Sequence, residues 1–193
     1  MNIDSVIKKY GKPYSEELKI NVKTKQGRFK WFLASILFGK RISEEIAKKT
    51  YREFEKKNVL SPDSILKTGW HGLVDILDSG GYVRYDYSTA DKLLEISKII
   101  RENYDGSIDE IHNRAEDSKD LENRLRGFRG IGPVTANIFL RELRLVWKKA
   151  DPGPSPIVKK VAKRYRIDLN KFRRKSERFI CLEAALIRMR KMK

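Results

Sequence analysis

The sequence predicts an all-α protein, and three observations support this prediction. Apolar residues recur at intervals of three and four through most of the 193-residue chain, which is the spacing of one helix face. Ser or Asp stands just before several of these segments, as helix N-caps do. No segment alternates apolar and polar residues for long enough to predict a strand. We therefore expect helices joined by short turns.

The first helices are predicted from apolar pattern and caps. Residues 29–38 are apolar almost all round, which indicates a buried central helix. Gly39 follows it, and the segment 43–57 then begins with Ser and carries apolar residues at helical spacing. The segment 61–66 opens with Ser-Pro, a cap followed by a proline in the first turn, and predicts a short helix.

The middle of the chain contains two more predicted helices. Residues 70–77 form a short apolar pattern that the glycine pair 80–81 ends. The segment 88–91 is a variant of the capping box, with Asp in place of the usual Glu, and opens a helix over residues 92–103. Gly106 is the predicted stop of that helix.

The last helices surround two turns. Residues 117–125 and 134–147 are predicted helices, joined by the sequence GFRGIGP. Residues 150–156 contain three prolines and one glycine, so they form a turn. Ser155 and the proline after it repeat the cap-plus-proline signal and open the helix that follows. Residues 176–190 have the apolar stripe of a core-facing helix.

The positive charge is concentrated near the carboxyl end. The chain has 43 Lys and Arg against 26 Asp and Glu, and residues 159–193 hold 14 of the former against three of the latter. A local basic face is typical of a nucleic-acid-binding protein, because each phosphate contact releases condensed counterions. A solvated basic surface and a surface for anionic membranes are the alternatives.

Composition excludes several classes of protein. With 40% hydrophobic and 10% aromatic residues, the chain is not disordered throughout. Its single cysteine, Cys181, excludes an internal disulfide, a four-cysteine zinc site and a four-cysteine iron–sulfur cluster. No apolar run approaches the ~20 residues of a membrane span, and the first residues lack the apolar stretch of a signal peptide. We expect a soluble intracellular protein of the cytoplasm or nucleoid.

The most informative segment is LENRLRGFRGIGPVTANIFL, residues 121–140. Two predicted helices meet there in a tight turn centred on Gly130, Ile131 and Gly132. Glycine permits positive φ and close backbone approach, and the amides at the start of the second helix point outward as a phosphate site. The Thr135 hydroxyl could reinforce that site.

The motif L-x-x-F-x-G-I-G-P-x-T-A-N over residues 125–137 resembles the hairpin of the helix–hairpin–helix DNA glycosylase superfamily, which includes endonuclease III and the alkylbase glycosylases. Residues 31–54, 72–82 and 92–111 resemble further segments of that family, in the same order. The likeness covers about residues 29 to 167.

The resemblance implies a two-lobed helical fold. The helix–hairpin–helix motif then occupies about residues 117–147. One lobe, of the six-helix type, spans about residues 30–145 and holds the hairpin. The other lobe combines residues 1–29 with residues 150–193 and is basic. The whole chain forms a single unit and works as a monomer.

The resemblance also implies DNA contacts. The hairpin grips a phosphate through Gly130, Gly132 and Thr135, and backbone carbonyls hold Na⁺ or K⁺. The loop 39–42 enters the gap left by a flipped base. Lys40 is then either the wedge and a phosphate ligand or an ordinary solvated lysine, with Arg41 beside it. The carbonyls that hold the ion belong to Arg126, Phe128 and Ile131. The basic helix predicted after Ser155 adds two further DNA-binding residues, Lys159 and Lys160.

The implied reaction is hydrolysis of the N-glycosidic bond of a damaged or mismatched base that is flipped out of duplex DNA. Bifunctional relatives carry a Schiff-base lysine where this chain has Val134, so the resemblance implies a monofunctional enzyme that uses water. The family's aspartate position holds Ser155. Asp151, four residues earlier, either folds back to serve as the carboxylate or is a turn residue, with Ser155 capping the helix.

Two aromatic residues are candidates for the base pocket. Tyr82 and Trp31 either stack on a flipped base or pack in the core. No organic cofactor and no iron–sulfur cluster are expected. The alternative function is a non-catalytic DNA-binding protein that has lost the catalytic aspartate; a hairpin module for RNA or for a protein partner has no feature in its favour.

Overall fold

The computed structural model describes residues 2–190, and in that part of the chain it contains helices and turns but no strand. The all-α prediction is confirmed. The α-helices in this range are α1 (Ile3–Tyr10), α2 (Tyr14–Glu17), α3 (Lys25–Phe38), α4 (Glu44–Lys56), α5 (Pro62–Ser79), α6 (Asp86–Asn103), α7 (Asp109–Arg114), α8 (Ser118–Arg126), α9 (Pro133–Arg141), α10 (Pro156–Arg164) and α11 (Glu177–Met189). A 3₁₀ turn, Leu169–Lys171, lies before α11.

Local capping signals set most of the helix starts. The side chains of Ser43, Ser61, Asp117 and Ser155 each accept a hydrogen bond from a backbone amide in the first turn of α4, α5, α8 and α10. These side chains satisfy amides that have no carbonyl one turn earlier. The predicted starts of these four helices are confirmed.

Two predicted helix boundaries in the middle of the chain are different in the structure. The two short helices expected after residue 61 are present, since α5 is interrupted at Gly69, whose φ of +69° and ψ of 176° are not helical, and only the boundary between them is shared in one continuous element. The predicted cap at Ser88 is wrong. Helix α6 already begins at Asp86, and the Thr89 amide donates to the Tyr85 carbonyl at 2.8 Å, so Ser88 lies inside the first turn.

Helix α9 ends at Arg141, six residues before its predicted end. The reason is long-range. The next residue, Glu142, is buried and its carboxylate accepts hydrogen bonds from the amides of Tyr14 at 3.1 Å and Ser15 at 2.9 Å. The carboxylate thus caps α2, and the chain leaves the helix to place it there.

Buried side chains form two clusters. The first cluster gathers residues from Tyr14 to Ala150 around α3, whose Trp31 is fully buried. The second cluster is built by α10 and α11, with α1 packed against α11. The amino-terminal segment is divided between them, since α1 contacts the second cluster, whereas Tyr14 and Leu18 pack in the first.

Arg144 joins the two clusters. Its guanidinium forms a fully buried ion pair with Glu183 of α11 and donates to the Pro152 carbonyl at 2.7 Å. It also lies 5.2 Å from the centre of the Phe179 ring in the second cluster. The segment after α9 is therefore bound to α11 and to the turn before α10 through one side chain.

Among the helices of residues 2–190, none is long and apolar enough to cross a membrane.

Replacing Glu183 with Ala is expected to lower the free energy of unfolding by about 3 kcal/mol, because it leaves the buried Arg144 charge without its main partner. The matched control is Glu55→Ala, which removes the same side chain from an exposed pair with Arg52 and is expected to cost under about 1 kcal/mol. Urea denaturation measures both. Equal losses for the two variants would contradict the role given to Arg144.

Candidate functional site

The hairpin consists of α8, residues 127–132 and α9. Its turn is closed by the Ile131 amide, which donates to the Phe128 carbonyl at 3.0 Å, and both side chains are buried in the first cluster. Gly130 has a φ of +80°, a conformation that favours glycine. The buried side chains of Phe128 and Ile131 anchor the turn in the first cluster, whereas Arg129 and Gly130 between them are exposed.

The start of α9 carries backbone donors without a side-chain cap. Gly132 is the N-cap residue, and no side chain of residues 2–190 bonds to the first turn. Pro133 has no N–H, so the amides that lack a carbonyl one turn earlier are those of Gly132, Val134 and Thr135. Such amides and the helix dipole together form a site for an anion.

Thr135 and Gly39 connect the hairpin to the 39–42 loop. A Cβ added to Gly39 would lie 2.1 Å from the Thr135 hydroxyl oxygen, so the two residues are in close contact. The Thr135 side chain is buried. Its hydroxyl therefore packs against the loop.

A cleft of about 660 Å³ lies beside this junction. Its walls are the 39–42 loop, one side of α9 and the turn 153–157, and residues of α2, α3, α4, α8 and the end of α11 complete the lining. Val134 is 61% exposed and lines the cleft with Asn137. The volume lies in the range of small-ligand sites.

The rim of the cleft is mainly positive. The cations that line the cleft are Lys40, Arg41, Arg190 and the buried Arg141, and its carboxylates are Glu44 and Glu122.

The two carboxylates differ in their partners. Glu44 accepts from the Tyr14 hydroxyl at 3.0 Å and pairs with Lys48 at 2.8 Å. Burial acts to raise its pKa, but Lys48, Tyr14 and Arg188 outweigh burial and hold the pKa of Glu44 below its ordinary value. Glu122 forms no ion pair with any residue of the range 2–190. Glu122 is thus the cleft carboxylate that is free to meet a ligand.

Asp151 and Ser155 lie in different surroundings. One Asp151 oxygen accepts from the Arg174 guanidinium at 2.7 Å, and the other lies 3.7 Å from Nε of Arg144. Asp151 does not line the cleft, whereas Ser155 does. The Ser155 hydroxyl accepts from the Val158 amide at 3.4 Å, as the cap of α10. The Asp151 carboxylate is thus held by arginines outside the cleft, and the Ser155 hydroxyl lies in the cleft lining as a helix cap.

Tyr82 and Trp31 are both fully buried. The Tyr82 hydroxyl donates to the Leu37 carbonyl at 2.8 Å, and the Trp31 indole donates to the Phe139 carbonyl at 3.1 Å. Burial raises the pKa of Tyr82. The structure therefore puts both aromatic residues in the first cluster, and neither lines the cleft.

The remaining candidates lie around the hairpin or beyond it. Lys159 and Lys160 are exposed on α10 and do not line the cleft. Of the three carbonyls predicted to hold a monovalent cation, those of Arg126, Phe128 and Ile131, that of Phe128 accepts a turn hydrogen bond and retains one lone pair. In the described part of the chain, no group of three or more His, Cys, Asp or Glu could hold a metal ion.

Sequence reasoning missed several residues of the cleft. Asn137 lies in the hairpin motif itself, so its position was readable; its amide nitrogen donates to the Gly153 carbonyl at 2.8 Å, and its Oδ1 has no partner among residues 2–190. To predict Glu122 and Arg141 as cleft residues, one would have to know which side of the hairpin faces the cleft. Arg190 carried no local signal, since it comes from the end of α11.

Neither a protein-family model nor a curated protein matches the chain.

Gly39→Ala is expected to lower the free energy of unfolding by about 1–3 kcal/mol, because the new methyl group collides with the Thr135 hydroxyl. Gly153→Ala is the control, since a Cβ there meets open space. Adding Thr135→Ala to Gly39→Ala removes the hydroxyl, so the double variant is expected to be more stable than the sum of the single effects. Strict additivity in thermal denaturation would refute the contact.

Proposed function

We propose that the protein is a DNA N-glycosylase, which binds duplex DNA through the hairpin and receives a flipped damaged or mismatched base in the cleft. The observation that carries this proposal is the shape of the cleft: the start of α9 and the 39–42 loop form adjoining walls. A phosphate held at the start of α9 keeps its nucleotide at the mouth of the cleft. A base can be acted on only after it leaves the stack.

The electrostatics of the site support DNA as the ligand. The amides of Val134 and Thr135 suit a phosphate, and Lys40, Arg41 and Arg190 add positive charge around the cleft. The described residues of the carboxyl-terminal segment extend the same sign of charge along α10 and toward α11. Phosphate contacts fix the position of a protein on DNA.

The chemistry requires a carboxylate near the sugar. Cleavage of the glycosidic bond develops positive charge on the sugar ring, and a fixed negative charge stabilises it. Glu122 is our candidate, because it lines the cleft without an ion-pair partner among the described residues. Water is the nucleophile, since Val134 offers no amine at the start of α9.

The position of Asp151 favours a second candidate function. Its carboxylate is held by Arg174 and lies near Arg144, outside the cleft lining. A protein that keeps the hairpin but has no catalytic carboxylate would bind DNA without releasing a base. The two functions differ in one measurable respect, the release of a free base.

Gly132→Asp is expected to weaken binding to duplex DNA at least tenfold, because it adds negative charge beside the phosphate site. The fold should tolerate it, since φ is −89° and a Cβ there meets open space. In fluorescence anisotropy from 50 to 200 mM salt, the slope of log affinity against log salt should also become shallower, by about 0.9 for each phosphate that the variant no longer binds.

The control for the charge itself is Asn58→Asp. Asn58 follows the carboxyl end of α4, the end opposite to the 39–42 loop. This exposed residue receives the same charge change and should bind nearly as the wild type does. If both variants bind equally, or if wild-type affinity is indifferent to salt, the hairpin is not the phosphate site.

Base release is tested on labelled duplexes that carry uracil, hypoxanthine, alkylated bases or oxidised bases. Alkali converts each abasic site to a strand break, so breaks after alkali count the released bases. We expect release from at least one duplex, a loss of about 100-fold in Glu122→Gln, and a change of only a few-fold in Asp151→Asn.

The two variants are matched, since each replaces a carboxylate by its amide. Loss of activity in Asp151→Asn alone would return the catalytic role to Asp151. Tight binding without release from any duplex would support the non-catalytic function instead.

A further inference from the structure

Arg141 is a buried arginine in the lining of the cleft. Only 3% of its surface is exposed, and its side chain forms no hydrogen bond and no ion pair with any residue of the range 2–190. Its guanidinium carbon lies 5.7 Å from the centre of the Tyr14 ring. A guanidinium has five N–H donors, and buried polar groups are seldom left without hydrogen bonds. The donors of Arg141 are therefore available to a ligand.

The carboxylates near Arg141 are engaged by other groups. Glu142 accepts from the amides of Tyr14 and Ser15, and Glu183 pairs with Arg144. Burial raises the pKa of both carboxyl groups and the charge of Arg141 acts in the opposite direction, but neither carboxylate lies within 4 Å of its guanidinium. Their negative charge helps to keep the arginine charged in the interior, while its hydrogen bonds remain unmade.

The surroundings of Arg141 suit a flat, uncharged ring. The rings of Tyr14 and Phe38 stack with their centres 4.7 Å apart, and both residues line the cleft. Aliphatic side chains make up much of the remaining lining, namely Ile42, Val134, Ile138, Ile157 and Ile187. Apolar walls with a few polar groups are typical of sites for small ring compounds, and about 660 Å³ is ample for a purine.

The fork of a guanidinium matches a base edge that has two neighbouring acceptors. On guanine these are O6 and N7, which form the commonest specific contact of arginine with a base. Hypoxanthine carries the same two acceptors. Adenine has an amino donor in place of O6, and 7-methylguanine has no free N7 and is a cation. The positive charges of Arg141, Lys40 and Arg41 oppose a cationic base in the cleft.

We infer that Arg141 is a specificity-determining residue and that the cleft selects 6-oxopurines with a free N7, of which hypoxanthine is the deamination product of adenine. The guanidinium donates to O6 and N7, and the ring lies against the apolar walls. Bases that carry a positive charge after alkylation are rejected. The inference rests on the DNA binding proposed above and does not depend on which group assists cleavage.

The test compares the affinities of duplexes that differ in one base. Hypoxanthine, 7-deazahypoxanthine and 7-methylguanine are each placed opposite cytosine on a 2′-fluorinated sugar, which disfavours positive charge at C1′ and keeps the glycosidic bond intact. In fluorescence anisotropy, the wild type should bind the hypoxanthine duplex at least tenfold more tightly than the 7-methylguanine duplex. It should bind 7-deazahypoxanthine, where C–H replaces N7, several-fold more weakly than hypoxanthine.

Variants separate the fork of Arg141 from its charge. Arg141→Met should bind the hypoxanthine duplex about tenfold more weakly but an undamaged duplex nearly as the wild type does, and the fold should tolerate an apolar side chain in place of an unpaired buried charge. Arg141→Lys keeps the charge, so it should still disfavour 7-methylguanine but no longer distinguish hypoxanthine from 7-deazahypoxanthine. The matched control, Arg101→Met at an exposed position of α6, should keep all the preferences.

The outcomes separate this inference from the proposed function. Equal wild-type affinities for the three duplexes, or a hypoxanthine preference that survives Arg141→Met, would overturn the inference and leave the DNA binding intact. Binding to none of the duplexes would overturn the DNA binding and the inference with it. If Arg141→Met does not fold, the wild-type comparison of hypoxanthine with 7-deazahypoxanthine and its loss in Arg141→Lys decide the question.

Discussion

The buried guanidinium of Arg144 is the interaction on which the arrangement of this molecule depends. It pairs with Glu183 of α11, holds the Pro152 carbonyl, and lies against Phe179. A buried charge without partners costs several kcal/mol, so these groups must converge on it. Their convergence fixes how the turn before α10 runs from the first cluster to the second, and that turn is one wall of the cleft.

The same constraint decides which carboxylate the cleft presents. Asp151 belongs to the Arg144 network and is further held by Arg174, so a role in holding the turn is sufficient to account for it. Within residues 2–190, the Glu122 carboxylate lines the cleft without an ion pair, and the buried Oδ1 of Asn137 has no hydrogen-bond partner. Unpaired groups of this kind cost stability and are therefore expected where a ligand supplies the missing partner.

The sequence predicted what depends on local contacts. The caps at Ser43 and Ser155 act over three residues, and the hairpin turn follows from its glycines and its buried apolar side chains. These features could therefore be predicted from the sequence. The end of α9 could not be predicted, because the apolar spacing continues through Trp147 and the competing partners of Glu142 lie 127 and 128 residues away. For Tyr82 and Trp31 the sequence left two alternatives open for a similar reason, because the spacing near a motif does not give the direction of an aromatic side chain; the structure places both in the first cluster.

The central claim is that the start of α9 and the cleft beside it receive DNA. Amide NMR of the labelled protein tests it directly, with a duplex that carries a stable abasic-site analogue and an undamaged duplex for comparison. The predicted result is that the abasic duplex shifts the amides of Gly132, Val134 and Thr135 and the side-chain amide of Asn137 most strongly. Shifts confined to α10 and α11, and equal for both duplexes, would contradict the claim.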